Sequence, residues 1–281
     1  MITIPLTNVI ELGLIYGLVA LGVYLTFRVI NFPDLSVDGT FPLGAAVVAI
    51  LLTNGVHPII ATLIAAGAGM IAGCITGYLH VYLRIMGLLA GILTMTALYS
   101  INIRIMGRPN IALLDVNTLF ANSQYGVWIL LGIVFIVLFT LRFFLASQYG
   151  LALRAAGINP GISRSYGVRI GSITILALAI SNGLVAFAGA LFAQIQGFAD
   201  VSLGTGTIVI GLASIMIGEA LFRVRKIQLD LFGCVIGSIL YRLAIAIALN
   251  SQILGLQASD LNLITVFLVI LALMMPKLRR G

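Results

Sequence analysis

Residues 31–41 read NFPDLSVDGTF, and residues 197–208 read GFADVSLGTGTI. Both stretches contain Phe-x-Asp-x-Ser, formed by Phe32, Asp34 and Ser36 in the first and by Phe198, Asp200 and Ser202 in the second. After a gap of one residue, four more positions match in order: Gly39, Thr40, Gly44 and Ala46 with Gly206, Thr207, Gly211 and Ala213. Each stretch leads from one apolar run into the next. The repetition predicts that the chain contains two related halves.

The composition indicates the solvent in which the chain folds. Hydrophobic residues make up 61% of the 281 residues and charged residues only 8%, whereas a soluble protein carries about 25% charged residues. A surface with so little charge cannot stay in water, so we predict an integral membrane protein. The net charge of +7 is typical of basic residues in cytoplasmic loops, and it does not indicate nucleic-acid binding.

Apolar runs of about 20 residues predict the membrane spans. There are nine candidates, at about 8–26, 41–54, 58–80, 86–106, 127–146, 172–196, 205–221, 229–249 and 260–276. A helix as short as the second run rises about 21 Å, against a hydrocarbon core of about 30 Å. The second span must therefore include part of the preceding NFPDLSVDG segment, or it does not cross completely.

The basic residues predict the orientation of the spans. If the N-terminus is outside, nine crossings leave the C-terminal KLRRG in the cytoplasm, and most of the 15 Lys and Arg residues lie on that side. This arrangement follows the positive-inside tendency of membrane proteins. Five crossings separate the two Asp-x-Ser segments, which places them on opposite sides of the membrane.

Related segments on opposite sides predict an inverted-topology repeat, which is the architecture of many transporters. Repeat one covers about 8–106 and repeat two about 172–276, and GCITG in the first is echoed by GCVIG in the second. The predicted fold class is an all-α integral membrane protein of about nine transmembrane helices. Residues 1–281 form a single transmembrane domain.

Small residues within the spans predict close helix packing. Gly69, Gly73 and Gly77 recur every four residues, so they share one helix face that a second helix can approach closely. Cys74 and Cys234 both lie in apolar runs. We interpret them as buried packing residues rather than as a disulfide or a metal site.

A cytoplasmic loop of about 147–170 contains a short helix of its own. Asn159 followed by Pro160 is a helix-start signal, and Gly167 is suited to the left-handed position after the helix. The side chains that this helix presents are Ile162, Arg164 and Tyr166. The loop either rests on lipid headgroups or is a docking surface for another protein.

The same loop resembles the coupling loop of permease subunits of bacterial ATP-binding-cassette (ABC) importers, in the superfamily of branched-chain amino-acid and monosaccharide permeases. The resemblance lies in Arg154, Ala155, Gly157, Asn159, Arg164, Gly167 and Val168. The segment VINFPDLSVDGTFPLGAAVVA is similar to the N-F-A-H-G-x-x-x-x-L-G-A region of the branched-chain group. Its FPDLSVDGTFPLG form is similar to a subgroup associated with aromatic amino-acid uptake. Pro33 and Asp34 replace the Ala-His of branched-chain permeases, which argues against a branched-chain substrate.

The resemblance implies a type II importer-like permease subunit in the bacterial inner membrane, which carries a small polar solute, with an aromatic amino acid favoured. It implies four kinds of partner: an ABC ATP-binding subunit, an extracytoplasmic solute-binding protein, a second permease subunit (a homodimer is favoured) and membrane lipid. It also implies which residues couple transport to the ATPase: Arg154, Asn159, Pro160, Gly161, Ile162, Arg164, Tyr166 and Gly167.

The chain lacks the sequence of an ATP-hydrolysing enzyme. G-x-x-x-x-G-K-[ST] does not occur, and neither Lys226 nor Lys277 follows a glycine. We therefore expect no catalytic residues, no metal site and no cofactor in this chain, with ATP and Mg²⁺ bound by the partner ATPase. The alternative is an ATP-independent facilitator or channel for a small solute.

Polar residues near and within the spans are candidates for the solute pathway or its gate. They are Asp34, Ser36, Asp38, Asp200 and Ser202 at the starts of spans two and seven, and Thr94, Thr96, Tyr99 and Ser100 in span four. Asp34 or Ser36, and Asp200 or Ser202, could instead cap the helices that follow them, and the residues of span four could instead bond neighbouring helices. Glu219 and Arg223, four residues apart, predict an ion pair on one helix face or a gate. Arg242 lies within span eight and is expected to reach a partner or to extend outwards.

Overall fold

The computed structural model describes residues 6–114, 116–120, 125–222 and 227–250. The described chain forms ten α-helices and two short strands. In order, they are α1 (Leu6–Tyr24), α2 (Val37–Thr53), α3 (Pro58–Val81), α4 (Gly87–Met106), β1 (Asn110–Ala112), α5 (Gly126–Ala146), α6 (Gln148–Ile158), α7 (Pro160–Ser165), α8 (Ile170–Gln196), β2 (Phe198–Asp200), α9 (Thr207–Leu221) and α10 (Ile227–Asn250).

Seven helical segments of the described chain are long and apolar enough to cross a membrane. Each coincides with one of the predicted spans, because an uninterrupted apolar run can satisfy its backbone groups in lipid only as a helix. Two predicted spans have no counterpart among these seven segments. The second is shorter than a full span, and the ninth, at 260–276, lies outside the described residues. The chain is a multi-pass membrane protein.

Helix α2 is too short to cross alone, as its sequence indicates. It begins at Val37, inside the NFPDLSVDG segment, and ends at Thr53. Its 17 residues rise about 25 Å, which is less than the hydrocarbon core of about 30 Å. The segment from Asn31 to Ser36 enters the bundle between α1 and α2 without forming a helix of its own.

Helix α1 occupies the centre of the bundle. In the most apolar part of Leu6–Val29, 83% of the chain is buried inside the protein, whereas the corresponding share is 28% in α4 and in α5. Helices α5, α8, α9 and α10 all pack against α1. The outer faces of α3, α4 and α5 carry the exposed apolar side chains that a lipid environment favours.

The predicted glycine face of α3 packs against α8. A Cβ atom on Gly73 would lie 2.2 Å from the carbonyl oxygen of Leu178, and one on Gly69 would lie 2.4 Å from that of Asn182. Both distances are far shorter than van der Waals contact, so only glycine fits. This confirms the prediction of a closely approaching helix.

The fold class is all-α, as predicted, and two details add to or differ from the sequence-based predictions. Strands β1 and β2, of three residues each, pair antiparallel, with Ile111 opposite Ala199; the sequence lacked a strand-like pattern in these segments. Cys74 is exposed and Cys234 is buried, and both are free. The expectation of burial was therefore wrong for Cys74, which lies on the outward face of α3.

Candidate functional site

The first Asp-x-Ser segment forms a compact turn just before α2. Asp34 accepts hydrogen bonds at Oδ1 from the backbone N–H of Ser36 at 2.9 Å and from its hydroxyl at 2.5 Å. The side chain of Ser36 makes no capping bond to α2. Both residues are buried, and Asp34 is only 2% exposed. The turn therefore holds a carboxyl group inside the bundle, where it needs further hydrogen bonds.

Asn182, in the middle of α8, supplies those bonds. Its Nδ2 donates to Oδ2 of Asp34 at 2.8 Å, and its Oδ1 accepts from the hydroxyl of Thr40 at 2.7 Å. We call Asp34, Ser36, Thr40 and Asn182 the buried polar cluster. It ties the start of α2 to α8, and all four residues are almost fully buried. Sequence reasoning missed Asn182, although an amide within a long apolar run was an available signal.

The second Asp-x-Ser segment forms the same turn in a more exposed position. Oδ1 of Asp200 accepts from the backbone N–H of Ser202 at 2.7 Å and from its hydroxyl, and Oδ2 accepts from Nδ2 of Asn110 at 3.1 Å. Partial burial would raise the pKa of Asp200, but these hydrogen bonds outweigh it and hold the pKa below its usual value. This turn precedes a 3₁₀ turn, Val201–Gly204, rather than a long helix.

Asp38 joins the starts of α2 and α9. It belongs to the first turn of α2, and its carboxylate accepts from the backbone N–H groups of Gly206 at 3.2 Å and Ile208 at 2.8 Å. A Cβ atom on Gly204 would lie 1.7 Å from the carbonyl oxygen of Asp38. The two short helices therefore begin side by side. Asp38 caps α9, whereas Asp200 or Ser202 had been considered for that role.

The candidate residues of α4 divide into two groups. Thr94 is buried, and its hydroxyl lies 3.0 Å from that of Thr76 on α3, so it bonds neighbouring helices. Thr96, Ser100 and Tyr99, which is 54% exposed, lie on the face that the described part of the chain leaves uncovered. The structure does not bring these three residues together with the buried polar cluster.

The cytoplasmic loop folds into α6 and α7, as its capping residues predict. Oδ1 of Asn159 accepts from the backbone N–H of Ile162 at 3.1 Å, Pro160 is the first helical residue, and Gly167 has a φ of +82°. Arg154 lies on α6 and is half-buried, while Gly161 and Arg164 are exposed on α7. Three apolar side chains of this region are exposed: Ile158 by 86%, Ile162 by 56% and Tyr166 by 85%.

Two charged residues have partners that the sequence did not predict. Glu219, at the end of α9, forms an ion pair with Arg28, just after α1. The predicted partner of Glu219, Arg223, lies outside the described residues. The guanidinium of Arg242 lies over the ring of Tyr16, 4.1 Å from its centre, which is a cation–π contact. Sequence spacing reveals neither long-range contact.

The residues that the structure describes contain no group of three or more His, Cys, Asp or Glu side chains able to hold a metal ion. The polar groups at the starts of α2 and α9 bond to one another and to backbone amides. They can orient helices or contact a solute, and they do not form an arrangement of nucleophile and base.

A family model described as branched-chain amino acid transport system / permease component matches residues 6–275. The chain belongs to this family. It is thus a permease component of a transport system, which moves a solute rather than catalysing a reaction, and no cofactor is expected in it. The resemblance of the coupling loop and of the VINFPDLSVDGTFPLGAAVVA segment pointed to the same family.

Individual relatives support this assignment. A tyrosine transport system permease protein of Clostridioides difficile is 44% identical over 94% of this permease and 88% of the relative. An uncharacterised protein of Rickettsia prowazekii is 37% identical over 92% of this permease and 93% of the relative. The autoinducer 2 import system permease protein LsrC of Salmonella typhimurium is 28% identical over 76% and 62%, respectively. No solved structure matches this permease.

Proposed function

We propose that this permease is the membrane-spanning subunit of an ATP-driven importer for an aromatic amino acid, with tyrosine as the first candidate. The observation that carries the choice of solute is the 44% identity with a tyrosine transport system permease protein over 94% of the chain. The replacement of Ala-His by Pro33 and Asp34 favours the same choice over a branched-chain amino acid.

The energy for import comes from a separate ATPase subunit that docks on α6 and α7. Because the chain has no P-loop sequence, ATP and Mg²⁺ belong to that subunit. Ile158, Ile162 and Tyr166 lie between spans, close to Arg154 and Arg164, and they present apolar surface away from the bundle. Exposed apolar side chains grouped on a polar loop are typical of a protein–protein contact.

The solute route runs along the uncovered face of α4. Thr96 and Ser100 are four residues apart and share this face with Arg104, so they form a polar stripe on an otherwise apolar helix. Lipid is a poor neighbour for such a stripe. A second copy of the permease, related by a two-fold axis, would face it across a polar passage and complete a homodimer.

The two Asp-x-Ser turns belong to an inverted repeat that moves during transport. Repeat one covers about 8–106 and repeat two about 172–276, with 147–170 as the coupling loop between them and all of 1–281 as one transmembrane domain. Asp34 and Asp200 make the same two bonds to a serine two residues later, and each turn leads to a short helix. Rocking of one repeat against the other would open the passage to each side in turn.

The complex also contains an extracytoplasmic solute-binding protein and lies in the bacterial inner membrane. The binding protein delivers the solute to the side where β1 and β2 lie.

The test of the proposed solute is competition in a reconstituted complex. The permease, its ATPase and its binding protein are placed in proteoliposomes, and uptake of labelled tyrosine is measured with unlabelled competitors. Tyrosine, phenylalanine or tryptophan should reduce the uptake strongly, and leucine and valine should not. Stronger competition by leucine than by every aromatic amino acid would reject the aromatic assignment and leave the permease role intact.

A further inference from the structure

The backbone of helix α6 lies directly against the end of the first span at Gly157. A Cβ atom on Gly157 would lie 1.8 Å from the carbonyl oxygen of Val29 and 3.1 Å from the Cα atom of Ile30. Only glycine fits at this distance. Gly157 is followed, two residues later, by Asn159, which caps α7. The docking segment is therefore in direct contact with the chain that leaves α1.

The contacted part of the first span is a π-helical turn, Leu25–Val29. The backbone N–H of Ile30 donates to the carbonyl of Leu25 at 3.2 Å, and Asn31 follows with a φ of +53°. A π turn contains one more residue than an α turn and is often found at functional sites. Because the two kinds of turn differ by one residue in register, a displacement here can change the direction of the residues that follow.

Two side chains carry such a displacement to the second half of the bundle. Nε of Arg28 donates to Oε1 of Glu219 at 2.5 Å, and Nη2 of Arg28 contacts the other carboxylate oxygen. The hydroxyl of Tyr24 donates to Asp230, in the first turn of α10, at 3.2 Å. The π turn, together with Tyr24 immediately before it, thus connects with the end of α9 and the beginning of α10.

The chain itself carries the displacement to the first half. Residues 30–36 connect the π turn to α2, and the backbone N–H of Phe32 still bonds to the carbonyl of Thr26 at 2.8 Å. Asp34, at the end of this connection, is held by Asn182. Both short helices, α2 and α9, are therefore attached to the same turn.

We propose that Leu25–Ile30 is the relay through which the docked ATPase moves α2 and α9. This proposal rests on the proposed function, because it needs a partner that pushes on α6 and α7. A displacement of α6 at Gly157 would move the carbonyl group of Val29, with which Gly157 is in contact. The ion pair between Arg28 and Glu219 would then move the end of α9. Both Gly157 and Arg28 are positioning residues that act through their neighbours, without contact with the solute.

The Arg28–Glu219 pair is suited to a test by charge exchange. The two side chains are 45% and 29% exposed, and an ion pair this exposed contributes little to stability. Its removal should leave the permease folded and bound to its ATPase. A loss of coupling in a folded complex then separates a relay from a merely structural contact.

The experiment measures tyrosine molecules imported per ATP hydrolysed, in proteoliposomes that contain the full complex. Arg28→Glu and Glu219→Arg should each lower this ratio by at least about fivefold, the usual scale of coupling between distant sites. The double variant should restore most of the ratio. Gly157→Ala should lower it as well, whereas Gly132→Ala, at a glycine with open space around it, should have no effect.

The outcomes separate this proposal from the function on which it rests. If the wild-type complex imports tyrosine without hydrolysing ATP, the proposed function fails. If the wild-type complex is coupled and Arg28→Glu, Glu219→Arg and Gly157→Ala keep its ratio, the relay alone is overturned. A double variant that stays as uncoupled as the single variants would also overturn it.

Discussion

At the scale of single residues, the buried polar cluster shows how the membrane constrains a carboxyl group. Asp34 has no cationic partner among its hydrogen bonds; it accepts bonds from Ser36 and Asn182 instead. In a low-dielectric interior, every missing bond to such a group would be costly. Asn182 is therefore more than a packing residue, because it supplies the donor for one oxygen and fixes Thr40 with its own oxygen.

Replacement of Asn182 should destabilise the permease more than replacement of another buried asparagine. Asn182→Leu leaves Oδ2 of Asp34 without its donor, and a stranded buried group costs about 1–3 kcal/mol. Asn102→Leu is the matched control, because Asn102 is also fully buried. Its Nδ2 donates only to the carbonyl of Gly39, and its Oδ1 has no partner among the described residues, so its replacement leaves no carboxylate without a donor. Thermal unfolding in detergent measures both variants. Equal losses for Asn182→Leu and Asn102→Leu would contradict the importance given to the cluster.

At the scale of helices and turns, some features follow from local rules and others do not. The start of α7 at Pro160, its cap at Asn159 and its end before Gly167 were predictable because each depends on neighbours a few residues away. The cap of α9 was not predictable, because Asp38 lies far earlier in the chain. The ion pair of Glu219 with Arg28 was missed for the same reason: local spacing suggests only near neighbours such as Arg223, which lies outside the described residues, whereas folding brings Arg28 to Glu219.

The packing of α3 on α8 depends on the absence of a side chain at Gly73. Gly73→Leu should sharply lower the amount of folded permease, because its Cβ atom alone would overlap the carbonyl of Leu178. Two controls test this explanation. Gly67→Leu places the same side chain on the same helix where there is open space, and Ile75→Leu changes an exposed residue. If all three variants are recovered in equal amounts, the close contact between α3 and α8 is not essential.

The exposed apolar surface of α7 should be needed for coupling but not for folding. Ile162→Asp places a charge in the proposed contact with the ATPase, and binding of the ATPase and solute uptake should both fall severely. Arg164→Ala is the control at a neighbouring exposed position, where a charge contributes about 1 kcal/mol or less, so its effect should be smaller. Copurification of the ATPase measures docking directly. Normal docking of the Ile162→Asp variant would place the ATPase elsewhere on the permease.

At the scale of the whole molecule, hydrophobicity alone predicted most of the architecture. Seven of the nine predicted spans appear as long apolar helices in the described chain, because the membrane forces apolar runs into helices. What could not be predicted is how the helices and strands meet in space. The antiparallel pairing of β1 with β2, the contact of Asp38 with α9 and the bond between Asp34 and Asn182 all join residues far apart in sequence.

The predicted orientation has a direct test with impermeant thiol reagents. In a background without Cys74 and Cys234, a cysteine in place of Ser165, which is exposed at the end of α7, should be labelled only from the cytoplasm. A cysteine in place of Asn54, exposed in the turn after α2, should be labelled only from outside. Ser163, which lies in the same helix as Ser165, is not a suitable labelling position because its side chain is buried. Labelling of both positions from the same side would contradict the orientation inferred from the basic residues.

The central claim is that this permease imports its solute only when a separate ATPase drives it. The most direct measurement is uptake of labelled tyrosine into proteoliposomes that contain the permease and the binding protein, with and without the ATPase subunit and with ATP and Mg²⁺ on the ATPase side. We expect concentrative uptake only when the ATPase and hydrolysable ATP are both present, and none with a non-hydrolysable analogue. Equal uptake by the permease without the ATPase would contradict this account and identify a facilitator.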